Sequence, residues 1–238
     1  APVSIAAMEA GKDTYCEKPM AGAFADAKAM LDASRKTKKK LHIQLSTLYS
    51  KSSRVAKVLI DQGKLGKVFH GRTTGWRRRG RPYVDGYATP AFVQKKTAGG
   101  GALYDMGVYH ISAMLHLLGN PDVERICGKT YQEMDMDEGR RKISGYDVEE
   151  LGLGFVRFKG NLSLDIVEAW AANLKGFDGT CVLGSKGGLT VALHGDNLTH
   201  HYSEGDSDYD ANVDVNSTLG RWYNLRENAD AYESSQGH

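Results

Sequence analysis

Two short stretches of this 238-residue chain carry side chains able to bind hydroxyls and move protons. The first is Glu17-Lys18-Pro19, which follows a strand-like run over residues 12 to 16. A lysine at the carboxyl end of a parallel strand sits where open α/β sheets bind ligands. It can orient a substrate hydroxyl, or act by its charge on a neighbouring acid. The same lysine also reads as a surface residue with a solvated head. The second stretch is GGGALYDMGVYH, residues 99 to 110. Its three glycines permit an unusual backbone at a helix start, where N–H groups can hold polar or anionic ligand atoms. Asp105 and Tyr109 are four apart and share a helix face, while His110 projects about 100° away. An acid beside a phenol or an imidazole suits proton transfer to a hydroxyl or carbonyl. The plainer alternatives are that Tyr109 packs and that Asp105 is a helix-start charge.

Alternating elements must position these groups. Residues 2 to 10 read as helix, with Pro2 in the first turn and Gly11 as the stop. A strand over 12 to 16, a helix over 22 to 37, a strand over 41 to 45 and a helix over 52 to 66 follow. This alternation predicts parallel βαβ units. Residues 67 to 76 read as strand, followed by a basic, glycine-rich loop from Arg77 to about Thr89. A long amphipathic helix ends at Gly119. Strands are then expected near 122 to 132, 147 to 158, 161 to 172, 178 to 184 and 187 to 193, a run that predicts an antiparallel sheet. Residues 200 to 216 are acidic and turn-rich and read as an exposed loop, with His200 and His201 exposed. A last helix is expected over 217 to 233. The fold class is thus an α/β remnant, residues 1 to 40, followed by an α+β domain, 41 to 238, with a large, mostly antiparallel open sheet.

Composition narrows the function. The chain is 41% hydrophobic and 25% charged with a formal net charge of +2, as in an ordinary globular protein. That charge balance argues against a nucleic-acid partner, despite the basic WRRRGR at 76 to 81, which reads as a substrate loop or a solvated loop. No apolar run is long enough to span a membrane, so no membrane partner is expected. Three widely spaced cysteines, Cys16, Cys127 and Cys181, argue against a disulfide framework and fit a cytoplasmic setting. No cysteine pair has zinc spacing. A calcium-loop likeness in DSDYDANVDVNS fails because Ala211 and Ser217 stand where glycine and glutamate are needed. No metal is expected.

Taken together, the motifs resemble the glucose–fructose oxidoreductase and inositol dehydrogenase family, written Gfo/Idh/MocA. Its A-G-K-x-x-x-x-E-K-P block is matched by Ala10-Gly11-Lys12 and Glu17-Lys18-Pro19. Its G-K-L-G-x-V is matched by Gly63 to Val68, and its G-G-G-x-x-x-D-x-G by Gly99 to Gly107. An L-L-G helix end falls at Leu117 to Gly119, and G-x-x-G-G-L at Gly184 to Leu189. The blocks occur in order over residues 1 to 190.

The resemblance implies an NAD- or NADP-dependent dehydrogenase of a sugar or polyol, with residues 1 to 40 as the last piece of a Rossmann domain. By position, Lys18 is then the active-site lysine and Tyr109 the acid/base. Asp105, His110, Trp76 and Arg77 lie on the substrate side, and Glu17, Lys18 and Pro19 on the cofactor side. Two positions depart from the family pattern: Ser112 replaces a usual Asp, and Thr47-Leu48 replaces a frequent Arg pair. The large sheet implies a homodimer or homotetramer. No G-x-G-x-x-G turn occurs in the chain, so most of the nucleotide-binding half is expected to precede Ala1, and this polypeptide alone is expected to bind dinucleotide weakly and to be inactive. The alternative is a non-catalytic sugar-binding or dimerising module of the same fold.

Overall fold

The computed structural model describes residues 1–177 and 179–220. Helix α1 (Pro2–Glu9), strand β1 (Thr14–Cys16), helix α2 (Phe24–Thr37) and strand β2 (Leu41–Ile43) form a small unit. β1 and β2 pair in parallel, Tyr15 opposite His42. The small sheet therefore continues past residue 40. A 3-10 turn (Ser46–Tyr49) leads to helix α3 (Lys51–Asp61), whose N-terminus is capped by Ser50 Oγ accepting from Ser53 N at 3.2 Å.

The second sheet has eight strands: β3 (Val68–Trp76), β4 (Val123–Tyr131), β5 (Leu151–Phe158), β6 (Leu162–Ala169), β7 (Cys181–Gly184), β8 (Gly188–Val191), β9 (Leu198–Glu204) and β10 (Ser207–Asn212). Their order is β10-β9-β8-β7-β3-β6-β5-β4. Every neighbouring pair is antiparallel except β3 with β6, so the expected large, mostly antiparallel sheet is present. The remaining helices are the short α4 (Lys95–Ala98), then α5 (Val108–Leu117), entered through a π-helical turn (Leu103–Gly107), and α6 (Glu138–Ser144).

α3 and α5 cover one face of this sheet. Val55 and Ala56 of α3 and Ala113, Met114 and Leu117 of α5 pack on Val156, Phe158, Leu164, Ile166, Val182 and Leu189. Each such large side chain taken from water contributes about 1.5–3 kcal/mol. On β3 the covered positions are Gly71, Thr73 and Gly75, all small. A Cβ on Gly71 would lie 2.6 Å from Met114 Cε, so glycine there lets α5 approach the strand.

Three expectations are corrected. Residues 200 to 216 are not a loop: β9 and β10 form a hairpin turned at Gly205 (φ +59°), Tyr209 opposite Tyr202. His200 and His201 are half-buried on β9 rather than exposed, and His201 Nδ1 pairs with Asp210 at 2.7 Å. The basic loop is not simply solvated. Arg81 is buried and held by Asp85 (3.1 Å) and Glu150 (3.0 Å). Burial works against its charge, but those hydrogen bonds and charges outweigh it and hold Arg81 above its ordinary value. The last helix expected over 217 to 233 lies outside the described residues beyond 220; residues 217 to 220 are helical.

Candidate active site

The buried stripe of α5 sets the site. His110, Ala113, Met114 and Leu117 recur at i, i+3, i+4 and i+7 and face the sheet. A histidine therefore occupies the first apolar position of the stripe. Upstream, the glycine run makes room for Glu149: a Cβ on Gly101 would lie 1.8 Å from its carbonyl oxygen. The N–H groups of Gly101 and Leu103 donate to the Glu149 carboxylate at 2.8 and 3.1 Å. These amides, expected to hold ligand atoms, are thus already occupied by a carboxylate of the chain itself.

Lys18 reaches across from the end of β1. Its Nζ donates to the Asp105 carbonyl at 2.9 Å and to Asp105 Oδ1 at 2.8 Å, and lies 5.0 Å from the Tyr109 ring centroid. The π-helical turn holds Asp105 and Tyr109 so that both meet this one ammonium group. Asp105 Oδ2 accepts from Trp170 Nε1 at 3.0 Å, with Arg77 Nη1 at 4.0 Å. Thr47, at one of the positions that depart from the family pattern, ties the small unit to α5 by donating to the Tyr109 carbonyl at 2.7 Å.

Two cavities meet at Asp105. One, about 310 Å³, is lined by Trp76, Arg77, Asp105, Tyr109, His110 and His194, among others. The other, about 500 Å³, is lined by Glu17, Lys18, Pro19, Tyr104, Asp105 and Trp170, among others. The residues expected on the substrate side thus share the first cavity, and those expected on the cofactor side share the second. A site for a flat, polar group next to Lys18 fits the second cavity, which has one charged donor and apolar walls from Phe92, Tyr104 and Trp170.

His110 is engaged elsewhere. Its Nδ1 lies 2.8 and 3.0 Å from the two carboxylate oxygens of Glu168, and its Nε2 lies 3.0 Å from His194 Nε2. Glu168 is wholly buried, and burial pushes its carboxyl up, against the pull of His110. Burial lowers His194, and the neighbouring His110 and Arg77 charges lower it further. Neither Glu168 nor His194 is apparent as a site residue from spacing alone. The available signal for Glu168 was its place in LSLDIVEA, where it continues the inward alternation of Leu164 and Ile166.

Comparisons with known proteins place the chain in a family. Residues 53–190 match the GFO/IDH/MocA C-terminal domain, and residues 1–45 match the oxidoreductase family with an NAD-binding Rossmann fold. The D-glucoside 3-dehydrogenase of Escherichia coli is 27% identical over 72% of this chain and 49% of its own length. Levoglucosan dehydrogenase of Pseudarthrobacter phenanthrenivorans is 35% identical over 50% of this chain and 30% of its own. The chain thus spans half or less of the length of these relatives. Among solved structures, an NAD-binding oxidoreductase from Klebsiella pneumoniae superposes with a TM-score of 0.76 at 20% identity, covering 96% of this chain and 61% of that one. Levoglucosan dehydrogenase in complex with NADH and L-sorbose superposes with a TM-score of 0.75 at 21% identity, covering 90% and 57%. With more than half of its residues inside the C-terminal domain match and its first 45 inside the nucleotide-binding match, the chain belongs to the GFO/IDH/MocA family of oxidoreductases.

Proposed function

We propose that this chain carries the substrate side of an NAD- or NADP-dependent dehydrogenase that oxidises a hydroxyl of a sugar or polyol. The observation that carries the reading is the position of Lys18. It comes from the nucleotide-binding side, hydrogen-bonds Asp105 at 2.8 Å, and stands beside Tyr109 where the two cavities meet. The nicotinamide, when bound, supplies hydride acceptance. The chain's own residues do the rest. Tyr109, as the phenolate favoured by the neighbouring Lys18 charge, takes the hydroxyl proton and becomes the phenol, and Asp105 fixes the ammonium through two contacts. Trp76, Arg77 and His110 shape the substrate cavity; Glu17, Lys18 and Pro19 face the cofactor. The relatives' names, glucoside, levoglucosan and inositol dehydrogenases, support a polyhydroxylated substrate. Tyr109→Phe in the complete enzyme should cut turnover by about 10²- to 10⁴-fold. Unchanged turnover would remove Tyr109 from its role.

The division of the chain follows the sheets: we place the end of the nucleotide-binding unit after β2 and the substrate domain beyond it. The chain as given has no G-x-G-x-x-G turn, so it should bind NAD or NADP weakly and be inactive by itself. Calorimetry giving a micromolar Kd for this chain would contradict that. Self-association through the large sheet is supported by Leu153, Phe155 and Leu183, exposed on its uncovered face. The three cysteines remain free thiols, in keeping with a reducing, cytoplasmic setting. Among the described residues no helix is long and apolar enough to cross a membrane.

A further inference from the structure

The loop after β3 folds back on itself and holds Arg77 in a set direction. Arg77 Nη1 donates to Tyr87 Oη at 2.9 Å and reaches the Gly80 carbonyl at 3.5 Å. The Tyr87 hydroxyl in turn donates to that same carbonyl. Gly80 leaves room for the arginine stem: a Cβ there would lie 2.4 Å from Arg77 Cδ and 3.0 Å from its Cβ. The loop is fixed at its base by Arg81, which also donates to the Met134 and Asp135 carbonyls at 3.2 and 3.0 Å. Tyr83 and Ala88 adopt φ of +62° and +60°. That backbone is unfavourable for residues with a Cβ and persists where the surroundings impose it, often beside functional sites.

Half of the guanidinium is left open. Nη1 is engaged within the loop, whereas Nε and Nη2 make no hydrogen bond among the described residues. Those two nitrogens form the side-on edge of the group, the fork that takes a carboxylate or a phosphate through two parallel hydrogen bonds. The charge is weakly answered as well. Arg77 lines the cavity it shares with Trp76 and Tyr109, and among the described residues Asp105 is the one carboxylate lining that cavity. Asp105 Oδ1 already accepts from Lys18 at 2.8 Å and Oδ2 from Trp170 at 3.0 Å. Arg77 Nη1 stands 4.0 Å from Oδ2, beyond hydrogen-bond reach.

We propose that the Nε/Nη2 edge of Arg77 receives an acidic group of the ligand, so that the cavity takes a sugar acid or a phosphorylated sugar in preference to a neutral sugar. Arg77 makes the contact. Tyr87 is a positioning residue: by holding Nη1 it keeps the open edge available to the ligand. The inference rests on the reading of this cavity as the site of a sugar or polyol, and it names the class of sugar. The Arg77 side chain is 43% exposed, so solvent screens its charge, and attraction alone contributes little. Two charge-assisted hydrogen bonds in fixed geometry contribute more, and the expected preference for an acidic sugar is about tenfold.

The test is an NMR titration of this chain at pH 7, with Kd read from the Trp76 and Tyr109 signals. The probes are D-glucose, D-glucuronate, D-glucose 1-phosphate and D-glucose 6-phosphate. At least one acidic probe should bind about tenfold tighter than D-glucose. Tightest binding by glucuronate assigns the edge to a carboxylate, and tightest binding by either phosphate assigns it to a phosphate. Arg77→Gln should bring the four Kd values to within about twofold of one another, and Tyr87→Phe should shrink the preference to about threefold. Equal Kd values in the wild type, or a preference that survives Arg77→Gln, would overturn the proposal and leave the sugar-site reading standing. The wild-type comparison decides even where a variant does not fold. A preference unchanged in Tyr87→Phe removes Tyr87 from its role. No response of either signal to any probe goes against the sugar-site reading, and the acidic preference falls with it.

Discussion

Gly75→Ala tests the buried pair from the side of the backbone. The added Cβ would stand 2.0 Å from Glu168 Oε2 and 2.4 Å from His110 Cε1, inside any tolerable contact, and both side chains are fixed by burial. Overpacking of this kind costs about 1–3 kcal/mol. Pushing the carboxylate off His110 forfeits a charge-assisted hydrogen bond as well, about 1.5–3 kcal/mol. The expected loss is therefore about 3–5 kcal/mol. Gly154→Ala is the internal control. It lies on the same face of the same sheet, yet its Cβ would meet only Ile166 at 3.7 and 3.8 Å, ordinary contact. There the smaller entropy of the unfolded chain should give a gain of about 0.4–1 kcal/mol. Urea unfolding followed by tryptophan fluorescence reads both. With a slope of about 1–3 kcal/mol per molar, the two midpoints should differ by more than about 1 M. Equal midpoints would refute the claim that Gly75 exists to accommodate Glu168 and His110.

Two further outcomes follow from the charges. Arg81→Met should destabilise the chain by about 3–5 kcal/mol, because it leaves Glu150, which is 1% exposed, without its guanidinium partner; a loss below about 1 kcal/mol in the same unfolding assay would mean that the Glu150 contacts from the Glu133 and Met134 amides suffice. His116, His194 and His200 are each lowered, chiefly by burial, so between those lowered values and about 6.5 the unfolded state binds more protons than the folded one. Stability should fall as pH drops below about 6.5, and His116→Gln should flatten that slope; an unaltered slope would show that His116 does not contribute.

The site was legible in the sequence to different depths. Lys18 and Asp105 stood out because they fall inside motifs at element ends that periodicity already marks, and Tyr109 because it stands four residues beyond Asp105 on the same helix face. Glu168 and His194 did not. Glu168 keeps the strand's alternation and so reads as one more strand residue until its partner strand shows a glycine opposite it. His194 follows β8 outside any periodic element, and only the folded chain brings it to His110. The hairpin of β9 and β10 was hidden by its charge. Its turn signal, Gly205-Asp206, was present, but flanking Asp, Ser and Glu residues suppressed the apolar alternation by which strands are recognised. The role of Arg81 was also hidden, since a run of arginines carries no indication of which one an internal carboxylate will claim.

The parallel pairing of β3 with β6 bears on how the chain assembles. β3 is central in the sheet, but both of its neighbours, β6 and β7, are synthesised long after it, from residues 162 and 181 onward. The hairpins β5–β6 and β7–β8 can close locally, whereas β3 gains its hydrogen bonds only once distant segments arrive, and such non-local closure is slow. Until then it is a strand with two open edges, the form most prone to adhere to other chains. Its sequence, VFHGRTTGW, carries His, Arg, two Thr and two Gly in place of an apolar run. The small residues that let α5 and the Glu168 pair approach in the finished protein thus also keep this strand from being a sticky template while it waits for its partners.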